Sequence, residues 1–437
     1  MNNKSVTVEK IINGGYGLAR REDGRVVLLR NSLPGETVAY SIDEERRKTL
    51  FGTVTAALSP HPGRIVPPCP YYGKCGGCSL QHCGYEQQLQ VKKEILDDLF
   101  LDQQLHPSAP LASPDSFGYR QRIRLQIQGS TIGFYRSRST EVIGITTCLI
   151  AHPAINAVLQ SLLQSDCFLQ LCRQSAAAEL HLDPPSGSVT LMLHSLRPLR
   201  PTDKKNGCEL AAATPGLERV FFKGDTFSLM GPFTADGYDP GAGNLFFLRL
   251  DDMLHESIYT LCWEISGFSQ VNVGQNRNIV NYVLGLCTDC RSHSLLDVYC
   301  GMGNFSIPLA GRFGSVVGVE AQNAAIRCAQ RNSVAAELDN TTFIKGTGEA
   351  LCHRLHRENT RFDTVVLDPP RQGIPGLAAV VAGLARQRII YISCDPATLA
   401  RDISMLQKNG LRAVSLQPFD MFPQTHHIET VAVLEKN

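Results

Sequence analysis

Four short apolar runs in the second half of the chain restrict its fold more than any other feature. They are Ser294-Leu295-Leu296-Asp297-Val298-Tyr299-Cys300, Val316-Val317-Gly318-Val319-Glu320, Phe362-Asp363-Thr364-Val365-Val366-Leu367 and Ile389-Ile390-Tyr391-Ile392. Residues 275–286 read as a helix, and Thr342-Phe343-Ile344 as a further strand. From Phe268 onward strand and helix alternate, which implies an α/β fold with a largely parallel sheet. Ligands of such sheets bind outside the carboxyl ends of the strands. The residues that follow each run are therefore the ones to read for chemistry.

The first run ends in Gly301-Met302-Gly303-Asn304, where glycines let backbone approach a ligand closely. The second ends in Glu320, an acid placed to reach ribose hydroxyls, so a dinucleotide enzyme is conceivable. The third ends in Asp368-Pro369-Pro370-Arg371-Gln372-Gly373, where the prolines restrict the backbone and can aim the carboxylate into a cleft. The fourth delivers Ser393-Cys394-Asp395-Pro396, whose Asp-Pro stops the strand. A lone cysteine is ordinarily a small buried hydrophobe. Cys394 becomes a nucleophile only if the other strand ends converge on it.

The first sixty residues have a different grammar. Short alternating runs at 6–11, 25–30, 38–42 and 50–54 are separated by glycine turns, which predicts a small β-barrel. Arg46-Arg47-Lys48 reads as a solvated loop. Barrels of this size often bind oligonucleotides. Gly14-Gly15-Tyr16-Gly17 and Leu33-Pro34-Gly35-Glu36 resemble the RNA-binding TRAM module, which implies an OB-like barrel that grips RNA.

A chain of 437 residues has room for two or three domains. With 42 basic and 41 acidic residues, no global field advertises a nucleic-acid partner, so any basic patch must be local. Met1-Asn2-Asn3-Lys4 lacks an apolar signal region, and no apolar run reaches membrane-spanning length. A cytoplasmic protein is expected. Most of its 15 cysteines are scattered, as core thiols are, but Cys69, Cys75, Cys78 and Cys83 cluster around Gly76-Gly77. Such a turn lets two thiolates face one ion or cluster, and structural zinc is the commonest occupant. A fourth ligand could be Cys83 nearby or Cys148 farther on.

Residues 85–102 read as a helix. In 119–127, Arg120, Arg122 and Arg124 share one face of an alternating strand. Its hairpin partner, 133–138, adds Phe134, Tyr135, Arg136 and Arg138. Arginine forks suit phosphates and flat rings suit unstacked bases, which favours RNA. Residues 152–172 read as one helix, and 179–182 and 188–193 as strands. Stretches 198–215 and 233–243 read as loops.

The motifs together resemble the RNA (uracil-5-)-methyltransferase family over nearly the whole chain. The resemblance rests on Phe268-Ser269-Gln270-Val271-Asn272, Asp297 to Asn304, Asp368 to Gly373, Ser393-Cys394-Asp395-Pro396-Ala397-Thr398-Leu399-Ala400-Arg401-Asp402 and His427-Ile428-Glu429-Thr430-Val431. Asp395 stands where many members have Asn. Amino-group methyltransferases carry motifs like Asp368-Pro369-Pro370, but need no nucleophilic cysteine. The resemblance implies Cys394 as nucleophile and Glu429 as general base. It also implies S-adenosylmethionine held by Gln270, Tyr299, Asn304, Glu320 and Asp368, with Thr347 and Glu349 as further candidates. Cys69, Cys75, Gly76-Gly77 and Cys78 match the family's iron–sulfur motif, which implies a [4Fe-4S] cluster on Cys69, Cys75, Cys78 and Cys148, with zinc as the alternative. The barrel and the cysteine motif are typical of the 23S ribosomal RNA branch. The expected organisation is a TRAM barrel over 1–60, a β-rich central domain over 61–265 and a Rossmann-like methyltransferase domain over 266–437. The expected partner is ribosomal RNA, with no membrane and no obligate protein partner, and the enzyme is expected to act as a monomer. The rivals are a transfer-RNA enzyme of the same chemistry and a non-catalytic iron–sulfur protein that binds RNA.

Overall fold

A computed structural model describes residues 5–239, 243–253, 257–288 and 290–437. The amino-terminal Met1-Asn2-Asn3-Lys4 and part of the 233–243 stretch lie outside the described residues. The chain forms two compact units that do not follow chain order. One takes the chain up to Gly73, Gly77–Ser116 and Glu349–Asn437; the other takes Lys74–Gly76 and Phe117–Gly348.

In the first unit, five strands close a barrel in the order Ser5–Ile12, Tyr16–Arg20, Val26–Arg30, Thr49–Ser59, Thr37–Arg46. The pairs are antiparallel except Val26–Arg30 with Thr49–Ser59. Alternation puts Val6, Val8, Ala19, Val27, Leu29, Val38, Tyr40 and Leu50 inside. Gly17 lies in strand Tyr16–Arg20 at a position where a Cβ would stand 2.1 Å from Ser32 Oγ. Arg46-Arg47-Lys48 is the tight end of a hairpin, with Arg47 at φ 54°. Glu36, which closes the motif Leu33 to Glu36, is fully buried. It accepts from the Leu33 amide at 2.8 Å, the His61 amide at 3.0 Å and Arg64 Nη2 at 2.6 Å. Burial alone would raise its pKa, but the Arg64 and amide hydrogen bonds win and hold it below the usual carboxylate range. The barrel is thus stapled to the segment that follows it.

The same unit contains helix Tyr85–Phe100 and four strands in the order Phe362–Leu367, Ala385–Ser393, Glu429–Lys436, Leu411–Phe419. The first two are parallel, and Glu429–Lys436 runs antiparallel to both its neighbours.

The second unit holds an eight-stranded sheet running from Gly237–Tyr238 at one edge to Val142–Gly144 at the other. It also holds the hairpin Leu245–Asp252 with Ser257–Glu264. Three parallel strands follow, in the order Thr341–Lys345, Phe313–Glu320, Cys290–Val298. The arginine strand, Arg122–Gln128, pairs with Thr131–Tyr135 as expected. Much of its charge is engaged within the protein: Arg124 Nη1 donates to Glu179 Oε1 at 2.9 Å and Arg122 Nη1 to the Gly267 carbonyl at 3.3 Å.

Three local expectations need correction. Residues 152–172 form two helices, Pro153–Leu163 and Asp166–Cys172, because Ser165 caps the second by accepting from the Phe168 amide at 3.4 Å. Most of 198–215 is helix Pro201–Ala213, with proline at its start and the Arg200 amide donating to Asp203 Oδ2 at 2.7 Å. In 233–243, Phe233 and Thr234 end the strand Phe227–Thr234, and Gly237–Tyr238 pairs back on it.

Candidate active site

Cys394 follows the last residue of strand Ala385–Ser393, and Glu429 is the first residue of its antiparallel neighbour. The ladder pairs Ser393 with Thr430, so continuing the register by one residue sets Cys394 opposite Glu429. Residues so opposed have Cβ atoms about 4.5–5.5 Å apart. Cys394 is half-buried and Glu429 is buried, since strand Leu411–Phe419 covers it on the other side through Phe419.

Asp395 ends the strand by capping the next helix, Pro396–Gln407, accepting from the Thr398 amide at 2.8 Å. Its type therefore serves the helix start, as Asn would. Asp402, nearly two turns into that helix, reaches back. Its Oδ2 accepts from Tyr391 Oη at 2.7 Å and from the Ile374 amide at 2.9 Å, while its Oδ1 accepts from Arg401 Nε at 2.9 Å. The turn after Asp368 is pinned at that point. Gly373 has φ 70°, and a Cβ there would fall 2.1 Å from Asp402 Oδ2. The two sequence signatures, Asp368 to Gly373 and Ser393 to Asp402, are thus one structure joined at Asp402.

The electrostatics tie the group together. Burial pushes the Cys394 thiol up to about 11; Glu429 and Asp368 add to this and Arg371 opposes it. Burial also holds Glu429 well above the usual carboxylate range, with Asp368 adding and Arg371 opposing. Burial thus disfavours the charged form of both groups, and Arg371 is the nearby cation that favours ionising either. Sequence reading quoted Arg371 only as part of a motif; its place three residues after Asp368 was the available signal. The rings of His426 and His427 are in contact, centroids 4.3 Å apart and tilted by 38°, and burial lowers His426 to about 4, which fits packing rather than proton transfer.

In the second unit, Tyr299 takes φ 69° after strand Cys290–Val298, and its ring fills the space a Cβ on Gly348 would need. Glu320, at the end of the adjacent strand, accepts from the Gly301 amide at 3.2 Å and the Gln322 amide at 2.8 Å. The glycine turn and the strand-end acid are therefore directly connected. Asp297 holds this turn, accepting from Ser306 Oγ, and burial raises it to about 7. Asn304 exchanges two amide hydrogen bonds with Asn276, at 2.9 and 3.0 Å. Gln270 is half-buried two residues before Asn272, which caps helix Val273–Gly285.

The cysteines differ in kind. Cys83 is buried, donates to the Leu80 carbonyl at 3.3 Å and is pushed up to about 12 by burial, so it is a core thiol. In the first unit, Cys69 and Cys78 are half-buried. In the second, Cys148 is raised chiefly by burial and also by the charge of Cys75. A buried thiol whose ionisation a neighbouring thiol disfavours is one that a bound cation would relieve. Among the described residues, no group of three or more His, Cys, Asp and Glu side chains is gathered as a metal site.

The fold is shared with Pyrococcus abyssi tRNA (uracil-54, C5)-methyltransferase in complex with S-adenosyl-L-homocysteine, at a TM-score of 0.72, covering 98% of this chain and 99% of that one with 24% identity. The fold class is that of the S-adenosylmethionine-dependent methyltransferases. Sequence relatives narrow it. The chain is 31% identical to 23S rRNA (uracil(1939)-C(5))-methyltransferase RlmD of Dechloromonas aromatica, over 98% of each. It is 32% identical to the enzyme of the same name from Pectobacterium atrosepticum, over 99% of this chain and 93% of that one. The family model described as tRNA (Uracil-5-)-methyltransferase matches residues 256–437, and that of the TRAM domain matches 3–55. The chain belongs to the RNA (uracil-5-)-methyltransferase family.

Proposed function

We propose that this enzyme methylates carbon 5 of a uridine in 23S ribosomal RNA through a covalent adduct between Cys394 and carbon 6. The observation that carries the reading is the opposition of Cys394 and Glu429 across one ladder, with Asp368 and Arg371 acting on both. Full-length similarity to the named 23S ribosomal RNA enzymes supports the choice of RNA.

Carbon 5 of uracil is too weak a nucleophile to take a methyl group from a sulfonium unaided. Cys394 supplies the missing activation. Burial disfavours charge on its sulfur, so the reactive enzyme is the form in which the Cys394 proton has passed to water, with Arg371 favouring the thiolate that bonds to carbon 6. The electron pair of the carbon 5–carbon 6 double bond moves toward the carbonyl at carbon 4, and the resulting enolate makes carbon 5 nucleophilic. S-adenosylmethionine supplies the methyl group. Glu429, acting in the form that has released its own proton to water, then takes the proton from carbon 5, the double bond re-forms, and Cys394 leaves carbon 6 as a thiolate. Asp368 holds the uracil or the reactive end of the methyl donor. Gln270, Tyr299, Asn304 and Glu320 hold the rest of the donor. A target base must be unpaired or flipped out to reach Cys394.

Cys69, Cys75, Cys78 and Cys148 are the residues that would hold a [4Fe-4S] cluster. Their thiol chemistry fits, and the buried, bonded Cys83 stands apart from the set. The methylation is redox-neutral, so the cluster's place is in folding or RNA placement. We further read the chain as three modules, 1–60, 61–265 and 266–437, in a cytoplasmic monomer; no described helix is long and apolar enough to cross a membrane.

The adduct is directly testable. With 5-fluorouridine-containing 23S ribosomal RNA and S-adenosylmethionine, fluorine blocks proton loss at carbon 5, so a denaturation-stable protein–RNA adduct accumulates. Cys394→Ala abolishes it. Absence of an adduct, or survival of one in Cys394→Ala, refutes the mechanism, and adducts formed only with transfer RNA move the substrate to that class.

A further inference from the structure

We infer that Gln424, Gln88 and Lys92 are positioning residues for Glu429. The inference rests on the reading of Glu429 as the base.

The segment 420–428 leads directly into Glu429, and it is anchored to an unusual degree. Gln424 sits at its centre, buried, with φ 69°, a conformation rare outside glycine. Every polar atom of Gln424 is used. Its carbonyl accepts from the amides of Ser79 at 2.9 Å and Leu80 at 3.0 Å. Its amide donates to Gln88 Oε1 at 2.9 Å, and Gln88 Nε2 donates back to Gln424 Oε1 at 2.9 Å. Gln424 Nε2 donates to the Ser116 carbonyl at 3.2 Å. On either side the pattern continues. The His426 amide donates to Ser79 Oγ at 3.0 Å. Lys92 Nζ, fully buried, pairs with the equally buried Asp420 at 2.5 Å and donates to the Phe422 carbonyl at 3.2 Å.

A surface loop of this length ordinarily needs none of this. A fully buried ion pair is weak evidence for stability, since desolvation offsets most of the attraction. A polar glutamine pair and a left-handed non-glycine residue likewise cost free energy wherever they stand alone. Their concentration on the segment that delivers the base is explained if they fix where that base stands. Ser79 follows Cys78 in sequence, and Gln88 and Lys92 lie on helix Tyr85–Phe100. The stretch after the cysteine motif thereby acquires a role in positioning Glu429.

The test uses the full-length enzyme and unmodified 23S ribosomal RNA, following kcat, both KM values and denaturation-stable adduct during turnover. Gln424→Gly removes the side-chain bonds while tolerating the positive φ. We expect kcat to fall on the order of ten- to a hundredfold, as for a misplaced reacting group. Both KM values should stay within about twofold, since uniform binding is untouched. Adduct should accumulate, as it should in Glu429→Gln. Should Gln424→Gly not fold, the double variant Lys92→Met with Asp420→Asn removes both buried charges and is read by the same criteria. Normal turnover, or a fall in kcat without adduct, overturns the inference. If Glu429→Gln accumulates adduct and the anchor variant does not, only the positioning role falls. If Glu429→Gln accumulates none, the assignment of the base falls and this role with it.

Discussion

Burial disfavours the charged forms of both Cys394 and Glu429, and that has a consequence for stability as well as for rate. Burial raises the folded-state pKa of Glu429 above its unfolded value near 4.5. The folded protein therefore holds a proton that the unfolded chain releases once pH exceeds that value. The contribution of protonated Glu429 to stability is complete below about pH 4 and is lost as pH rises toward the folded pKa. Glutamine keeps the neutral shape at every pH. Glu429→Gln should thus melt higher than the natural enzyme at pH 8, by at least about 2 °C, with the difference vanishing near pH 4. Thermal denaturation across that range checks it, and a constant difference would mean that Glu429 is ionised in the resting fold. A destabilised base is a familiar trade of stability for function.

At the scale of elements, the turn 368–373 and helix Pro396–Gln407 form one support through Asp402. Gly373→Ala forces a side chain into a left-handed turn and onto Asp402 Oδ2. We expect a loss of about 1–3 kcal/mol in stability. Methyl transfer should fall as well, because Asp368 and Arg371 move with the turn; melting and single-turnover rates together check this, and an unchanged rate would show that the turn is free of the site. The strands here were legible because buried parallel strands write themselves as continuous apolar runs. So was the position of each of Glu320, Asp368 and Cys394 at the end of a strand or directly after it. Asp402 was not, since its role depends on a register between two turns distant in sequence. Helix Pro201–Ala213 was read as loop because only a narrow face is buried. Gly207 lies on it, against Phe222, where a Cβ would be 3.2 Å from the ring. Arg122 and Arg124 were legible as a basic face, yet their internal partners are visible only in three dimensions. The cysteine spacing singled out a cluster of thiols and the family resemblance left Cys83 out of it; the burial of Cys83 adds a physical reason.

At the scale of the whole molecule, the barrel is more than a detachable RNA handle. It belongs to the same compact unit as Cys394 and Glu429. Gly15, in its first turn, lies so close to His426 that a Cβ there would be 2.8 Å from the histidine's own. His82 Nε2 donates to the Ser32 carbonyl at 3.1 Å, Arg64 grips Glu36, and Lys10 pairs with Asp98 on helix Tyr85–Phe100. Removing the barrel exposes the partners of these contacts, among them the stretch that anchors the approach to Glu429. A truncation beginning after residue 60 should therefore do more than weaken RNA binding. We expect it to lose its cooperative melting transition and to bind a hydrophobic dye. Calorimetry with dye fluorescence on the truncated and full-length chains decides the matter. A truncated protein that melts cooperatively, binds S-adenosylmethionine normally and shows only a higher KM for RNA would establish the barrel as an independent module. The amino-terminal sequence, read alone, describes a binding domain of standard size. Its contacts, Gly15 against His426 among them, tie it to the segment that leads into Glu429.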